Sequence, residues 1–167
     1  ADVVAKTKSG ASASRANYMA ELIVERLTGV KGDSYQTPAM VWGIETEPKA
    51  RAAYEAETGN LVTGVGFIPH PTINMAGASP DGWVGEDGGI EIKCPNTSTH
   101  IDTVLTETVP AKYVTQMQWQ MACHPGQQWI DFISYDPRVP EKIQMWIKRV
   151  ERDDKYIAQL EEEVFNF

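Results

Sequence analysis

The residues best suited to chemistry lie in one short stretch of the sequence. It reads Ser79-Pro80-Asp81-Gly82, followed after a gap by Gly89-Ile90-Glu91-Ile92-Lys93. Two carboxylates that converge on one point suit Mg²⁺ or Mn²⁺, and Mg²⁺ usually takes one or two carboxylates together with substrate phosphate oxygens. A neighbouring lysine can orient an attacking water or offset charge on phosphorus. These residue types together indicate metal-assisted phosphodiester hydrolysis.

A β-strand is needed to place Glu91 and Lys93 side by side. Side chains alternate across a strand, so both would point to one face while Ile90 and Ile92 enter the core. A hairpin over residues 82–89 would return Asp81 to the side of Glu91. Glutamate and lysine at this spacing also form ordinary salt bridges on exposed strand faces, and spacing alone leaves both interpretations open.

Glu47 is a further acidic candidate, next to Pro48 near the start of a predicted helix. It shares a helical face with Ala50 and Tyr54, which predicts that it lies at the rim of the core. An inward carboxylate is costly unless it is paired or bound to a metal. A carboxylate near a helix start is also favoured by the helix dipole alone, so this alternative stays open.

Polar side chains also share one face of a later helix, at Tyr113, Gln116 and Gln120. Their amides can donate to DNA phosphates or base edges. A plain polar helix surface explains the same pattern equally well.

The elements that must position these residues follow from hydrophobic periodicity and from glycine and proline breaks. A loop is predicted over residues 30–40. We predict helices at 14–28, 44–58, 98–107, 110–122 and 153–165, and strands at 61–68, 74–79, 82–84, 89–94, 129–135 and 142–150. This order predicts one domain over residues 1–167, an α/β or α+β sandwich with a mixed central sheet.

Composition restricts the classes of function. The 167 residues are 42% hydrophobic and 23% charged, as in soluble globular domains, and no apolar run is long enough for a membrane span. The net charge of −8 argues against DNA binding by bulk electrostatics, although an acidic enzyme can still hold cations and line a local channel with basic residues. Cys94 and Cys123 are too few for a zinc motif, and we expect buried reduced thiols. Residues 1–6 have the composition of a helix interior, so we expect the chain to begin inside a longer protein.

These motifs together resemble the lambda exonuclease family, which includes the YqaJ-like phage recombination exonucleases of the PD-(D/E)xK nuclease superfamily. The resemblance implies a PD-(D/E)xK restriction-endonuclease-like fold, with a central mixed β-sheet flanked by α-helices. It rests on the helix at 14–29, Trp42-Gly43 with Glu47 and Ala50, residues 79–82, residues 89–95, Tyr113 with Gln116 and Gln118, residues 135–138 and residues 150–156.

The resemblance implies roles for individual residues. Asp81, Glu91 and the backbone carbonyl of Ile92 match metal ligands, and Glu47 matches the helix glutamate that completes the metal site. Lys93 matches the catalytic lysine, and Gln116 matches a glutamine near the attacking water or the metal ligands. Ser79 matches a serine that helps to hold the 5′-terminal phosphate of DNA.

The resemblance also implies an activity. The family digests one strand of double-stranded DNA from the 5′ end with Mg²⁺, for which Mn²⁺ can substitute. It acts as a ring-shaped homotrimer with a single-strand annealing protein, in the cytoplasm of a bacterial or phage-infected cell. The family's N-terminal arginine-containing element and its arginine after the Cys-Pro segment have no counterpart here, and we expect Thr99 or His100 to contact the 5′ phosphate instead.

Two other functions fit the same residues. One is an endonuclease on the same scaffold, which would cut closed circular DNA. The other is a non-catalytic DNA-binding module, which the presence of Asp81, Glu91 and Lys93 together disfavours.

Overall fold

A five-stranded sheet, covered by helices on both faces, organises this chain in a computed structural model that describes residues 2–4, 6–7, 10–30 and 36–167. The helices are α1 (Ala13–Thr28), α2 (Pro38–Thr58), α3 (Thr97–Thr106), α4 (Ala111–Cys123) and α5 (Asp154–Phe165), with short 3-10 turns at Asp2–Val4 and Glu141–Ile143. The strands are β1 (Lys6–Thr7), β2 (Gly10–Ala11), β3 (Val62–Thr63), β4 (Ile68–Pro69), β5 (Gly77–Ala78), β6 (Gly82–Val84), β7 (Gly88–Lys93), β8 (Trp129–Tyr135) and β9 (Met145–Glu151).

The main sheet has the strand order β3-β6-β7-β8-β9 and is mixed, as predicted. Only the β7–β8 pair in it is parallel, and the other neighbours are antiparallel. A parallel pair needs a long crossover connection, and α3 and α4 supply it. Two small hairpins, β1–β2 and β4–β5, lie outside this sheet.

The β6–β7 hairpin confirms the prediction for Asp81. Its turn contains Gly85 at φ 62°, a left-handed conformation that favours glycine. The register pairs Gly82 with Ile90, so Asp81, one residue before the strand, falls beside Glu91. The hairpin therefore brings the two carboxylates of the motif together.

Two clusters of buried side chains cover the two faces of the sheet. On one face, Ala50 and Tyr54 of α2 pack with Ile90, Ile92 and Ile133. The alternation predicted for β7 is therefore confirmed. On the other face, the cluster contains residues of α4, β8 and α5, namely Met117, Met121, Ala122, Ile130, Phe132 and Ile157.

Helix α2 begins earlier than the sequence predicted. The Thr37 hydroxyl caps it by accepting a hydrogen bond from the Met40 N–H, and Pro38 occupies its first turn. Glu47 and Pro48 consequently lie in the middle of a 21-residue helix. The helix-dipole explanation for Glu47 is therefore wrong, because that effect is confined to the first turn.

Other departures are local. The strand predicted at 74–79 shortens to β5, and the strand at 61–68 is reduced to β3 and the start of β4. The helix interior expected over residues 1–6 is wrong for residues 2–4, which form a 3-10 turn, and for Lys6, which begins β1, while residues 1 and 5 lie outside the described residues. Much of the predicted loop, residues 31–35, also lies outside them.

A buried polar link fastens α2 to the sheet. The Tyr54 hydroxyl donates to Asp131 Oδ2 at 2.8 Å, and Arg149 donates to both Asp131 oxygens. Arg149 in turn stacks on the ring of Trp129, 3.5 Å from its centre. Burial and the hydrogen bond to Asp131 raise the pKa of Tyr54 to about 12. The hydroxyl therefore stays a donor, and α2 keeps a fixed position over β7 and β8.

Both cysteines are free thiols, with Cys94 half-buried and Cys123 buried. Burial raises the pKa of each to about 12, so neither is a ready thiolate, which fits the expected structural role. Among the helices of the described residues, none combines the length and apolarity needed to cross a membrane.

Candidate active site

Glu91 forms the centre of the site and has no exposed surface. Its Oε1 accepts hydrogen bonds from Gln116 Nε2 at 2.8 Å and forms a salt bridge with Lys93. Its Oε2 accepts a hydrogen bond from Gln120 Nε2 at 2.7 Å. A buried charge is tolerated only when it is paired and hydrogen-bonded, and these three donors meet that requirement. The alternative of a solvent-exposed salt bridge on a strand face is therefore wrong.

Asp81 lies next to Glu91 and is partly buried. Its Oδ2 accepts a hydrogen bond from the Ile92 N–H at 2.6 Å. Burial is the largest cause, followed by the charge of Glu91 and with a smaller effect of Glu47, and together they raise the pKa of Asp81 to about 7 against the Ile92 hydrogen bond and Lys93, which lower it. Burial and neighbouring negative charge thus both oppose ionisation of Asp81.

Glycine is required directly after Asp81. A Cβ at Gly82 would collide with the side chain of Val62 and lie 3.1 Å from Arg51 Nη1. Arg51 Nη2 donates to the Asp81 carbonyl at 2.6 Å. The absence of a side chain at Gly82 thus lets α2 approach the backbone of Asp81.

Lys93 is the cation of the site. Burial alone would lower its pKa, but the charge and hydrogen bond of Glu91 and the charge of Asp81 outweigh burial and raise it. The ammonium also lies 5.2 Å from the ring centre of Tyr113. Lys93 is consequently held as an ammonium between a carboxylate and an aromatic face.

Glu47 lies at the edge of this group. Its Oε1 is 3.3 Å from Arg51 Nη2, one helical turn away, and its charge acts on Asp81. Among the described residues, no three histidine, cysteine or acidic side chains form a group that could hold a metal by themselves. The structure therefore brings together Asp81, Glu91, Lys93 and Gln116, with Glu47 beside them and paired to Arg51.

The residues expected to contact a 5′ phosphate differ in accessibility. Ser79 and Thr99 are exposed. His100 is fully buried, with Nδ1 2.8 Å from Ser134 Oγ and Nε2 2.7 Å from the Ile143 carbonyl. Both ring nitrogens have partners, so the expectation that His100 contacts phosphate is corrected to a structural role.

Sequence reasoning placed Gln120 on a surface that could face DNA, and the structure corrects this. Gln120 is 1% exposed and donates to Glu91 from inside the domain. The available signal was its position one helical turn after Gln116, on the same face. Its partner could not be identified without knowing that α4 crosses β7.

Asp81 and Glu91 supply the hard oxygen ligands that a divalent cation prefers. Among the described residues, donors contact only Oδ2 of Asp81, which leaves Oδ1 open to a ligand. Burial first and the charge of Glu91 second raise the pKa of Asp81, so its charged form would be favoured by a bound cation. The residues present therefore fit a divalent metal bound by two carboxylates and completed by water or substrate oxygens.

The charge at Asp81 gives a prediction for the metal-free protein. A carboxyl whose pKa is raised on folding contributes stability that is complete below about pH 4 and is lost as the pH rises through about 7. In EDTA, we expect the free energy of unfolding of the wild type to fall between pH 5 and 8 by on the order of 2 kcal/mol more than that of Asp81→Asn. Urea denaturation across this range measures it.

The matched control is Asp87→Asn, in the exposed turn of the same hairpin, which should follow the wild-type curve. Parallel pH curves for the wild type and Asp81→Asn would contradict the electrostatic description of the site.

Solved structures of similar sequence share this fold. An alkaline exonuclease from Laribacter hongkongensis, LHK-Exo, is 56% identical, with 98% of this chain aligned to 79% of that chain and a TM-score of 0.89. Its complex with dAMP aligns over 99% of this chain and 80% of that chain, with a TM-score of 0.91 and the same identity. A phage-related exonuclease from Haemophilus somnus 129PT is 17% identical over 98% of this chain and 86% of that chain, with a TM-score of 0.75, and indicates a shared fold only.

These likenesses confirm the PD-(D/E)xK-like fold, with helices on both sides of a mixed five-stranded sheet. No curated protein matches the sequence significantly. The family model described as the YqaJ-like viral recombinase domain matches residues 1–126. The chain belongs to the YqaJ-like viral recombinase family and, with a 56% identical alkaline exonuclease among its relatives, is a nuclease that acts on DNA.

Proposed function

We propose that this protein is a metal-dependent exonuclease that degrades one strand of double-stranded DNA in the 5′ to 3′ direction. The observation that carries the proposal is the buried Glu91, joined by Asp81 and Lys93 at one end of the β6–β7 hairpin. The 56% identical relative, named as an alkaline exonuclease, supports an end-dependent reaction. The proposed setting is phage-type recombination in the bacterial or phage-infected cytoplasm, with a single-strand annealing protein as partner.

Asp81, Glu91 and the Ile92 carbonyl are the proposed ligands of Mg²⁺ or Mn²⁺. The Ile92 N–H points at Asp81, and the N–H and C=O of one strand residue point to the same side, which supports a role for this carbonyl. Glu47 would complete the site from α2, by exchanging its partly exposed contact with Arg51. A bound Mg²⁺ would make a coordinated water more acidic and neutralise charge on the scissile phosphate.

The protein's own side chains divide the remaining tasks. Lys93, charged and held by Glu91, is placed to donate to a phosphate oxygen or to the attacking water. Gln116 fixes Glu91 Oε1 and also lines a cleft of about 480 Å³, to which none of the proposed metal ligands contributes. Ser79 and Thr99, both exposed, are the proposed contacts of the 5′ phosphate.

We expect Lys93→Ala to lower the initial rate of nucleotide release from linear duplex DNA by ~100-fold or more, because the ammonium that contacts Glu91 is lost. Lys148→Ala, on the exposed face of β9, is the matched control and should retain the wild-type rate. An unchanged rate in Lys93→Ala would show that the proposed chemistry is wrong.

Digestion of duplexes that differ in their ends distinguishes the proposed exonuclease from an endonuclease and from a DNA-binding module. We expect linear duplexes with a 5′ phosphate to be digested fastest, 5′-hydroxyl duplexes more slowly, and closed circles not at all. A label on the 5′ end should be released first. Cutting of circles would favour the endonuclease, and tight binding without turnover in Mg²⁺ or Mn²⁺ would favour the binding module.

The homotrimeric ring of the family is also proposed for this chain. Helix α1 supports an assembly because it exposes apolar side chains, at Leu22, Ile23, Val24 and Leu27. Exposed apolar patches of this kind commonly mark interfaces. We expect light scattering to give the mass of three chains, and a purely monomeric mass would contradict the proposed ring.

A further inference from the structure

Helix α4 presents the side-chain amides of Gln116 and Gln120 to Glu91. The proposed function gives no role to Gln120. Gln116 contacts Oε1, which Lys93 also contacts, whereas Gln120 is the only donor to Oε2 among the described residues. Gln116 and Gln120 lie one turn apart on α4, so the two amides hold the carboxylate at both oxygens. A carboxylate held at one oxygen only is free to rotate about its terminal bond.

Packing alone does not account for an amide at position 120. The Gln120 Oε1 atom is buried and has no hydrogen-bond partner. An unpartnered buried carbonyl is destabilising, whereas a methionine would fill a similar volume without an unpartnered polar atom. The fold therefore carries a destabilising atom in order to present the Nε2 donor at this position.

Rotating the Gln120 amide by half a turn would not relieve the destabilisation from its unpartnered oxygen. Exchanging the oxygen and nitrogen of Gln120 would bring Oε1 to within hydrogen-bond distance of Glu91 Oε2, which sets two acceptors against each other. The assigned orientation is thus the one that the charge of Glu91 requires, and Gln120 acts as a donor to it.

We infer that Gln120 is a positioning residue that fixes the orientation of Glu91 for binding a divalent cation. This rests on the proposed function in so far as Glu91 is taken to be a metal ligand. Gln120 has 1% exposure and therefore cannot contact DNA itself. Its loss should weaken metal binding and lower kcat, while leaving the KM for DNA unchanged.

The experiment compares Gln120→Met with Gln118→Met. Gln118 is a matched control because it is 2% exposed on the same helix, but its amide contacts the Glu151 carbonyl and the Asp153 N–H instead of Glu91. Mn²⁺ binding without DNA is measured by calorimetry, followed by kcat and KM on linear duplex and by the melting temperature of each variant. Gln120→Leu serves as a second variant should the methionine not fold.

We expect Gln120→Met to weaken Mn²⁺ binding or lower kcat by about 10- to 100-fold, the usual range for residues that support a metal ligand. Gln118→Met should lower only the melting temperature. Equal Mn²⁺ affinity and kcat in Gln120→Met and the wild type would overturn the inference, as would equal losses in the two variants.

Mn²⁺ binding and DNA digestion by the wild type distinguish a failure of this inference from a failure of the proposed function. A wild type that binds Mn²⁺ but digests no DNA would refute the exonuclease, and the binding data would still test Gln120. A wild type that neither binds Mn²⁺ nor digests DNA would refute both.

Discussion

The carboxylate of Glu91 lies in the interior of the domain, and much of the structure serves to hold it there. An uncompensated charge in this position costs several kcal/mol, a large part of the net stability of a domain of this size. Gln116, Gln120 and Lys93 supply the compensation from two different elements. The buried carboxylate is thus stable only when α4 and β7 are correctly packed.

The topology explains how these donors reach Glu91. Because β7 and β8 are parallel, the chain between them must cross one face of the sheet, and α4 lies in that crossover. The face that α4 covers is the one to which Glu91 points. The opposite face is covered by α2, which is fixed by the link between Tyr54 and Asp131. Each of these two helices contributes to the site, since α2 carries Glu47 and α4 carries Gln116 and Gln120.

Local patterns in the sequence predict the part of the site that depends on neighbouring residues. Alternation within β7 and the length of the preceding hairpin turn were enough to place Asp81, Glu91 and Lys93 together. They were not enough for His100, whose partners Ser134 and Ile143 lie on later elements. They were also not enough for Gln120, because the hydrogen-bond partner of its amide is defined only by the packing of α4 over Glu91. The position of Glu47 was misjudged because Thr37 and Pro38 start α2 well before the predicted residue.

The charges at the site show how a chain with a net charge of −8 can be compatible with action on DNA. Asp81 is flanked by the charges of Glu91 and Glu47, and burial together with these charges raises its pKa although Lys93 acts in the opposite direction. A DNA phosphate approaching this point would therefore be repelled unless a cation arrived first or together with it. Under the proposed function, metal and substrate binding are then coupled, because each supplies what the other lacks. An acidic chain is compatible with action on DNA on this view, since the attraction is created locally by the bound metal and not by the surface as a whole.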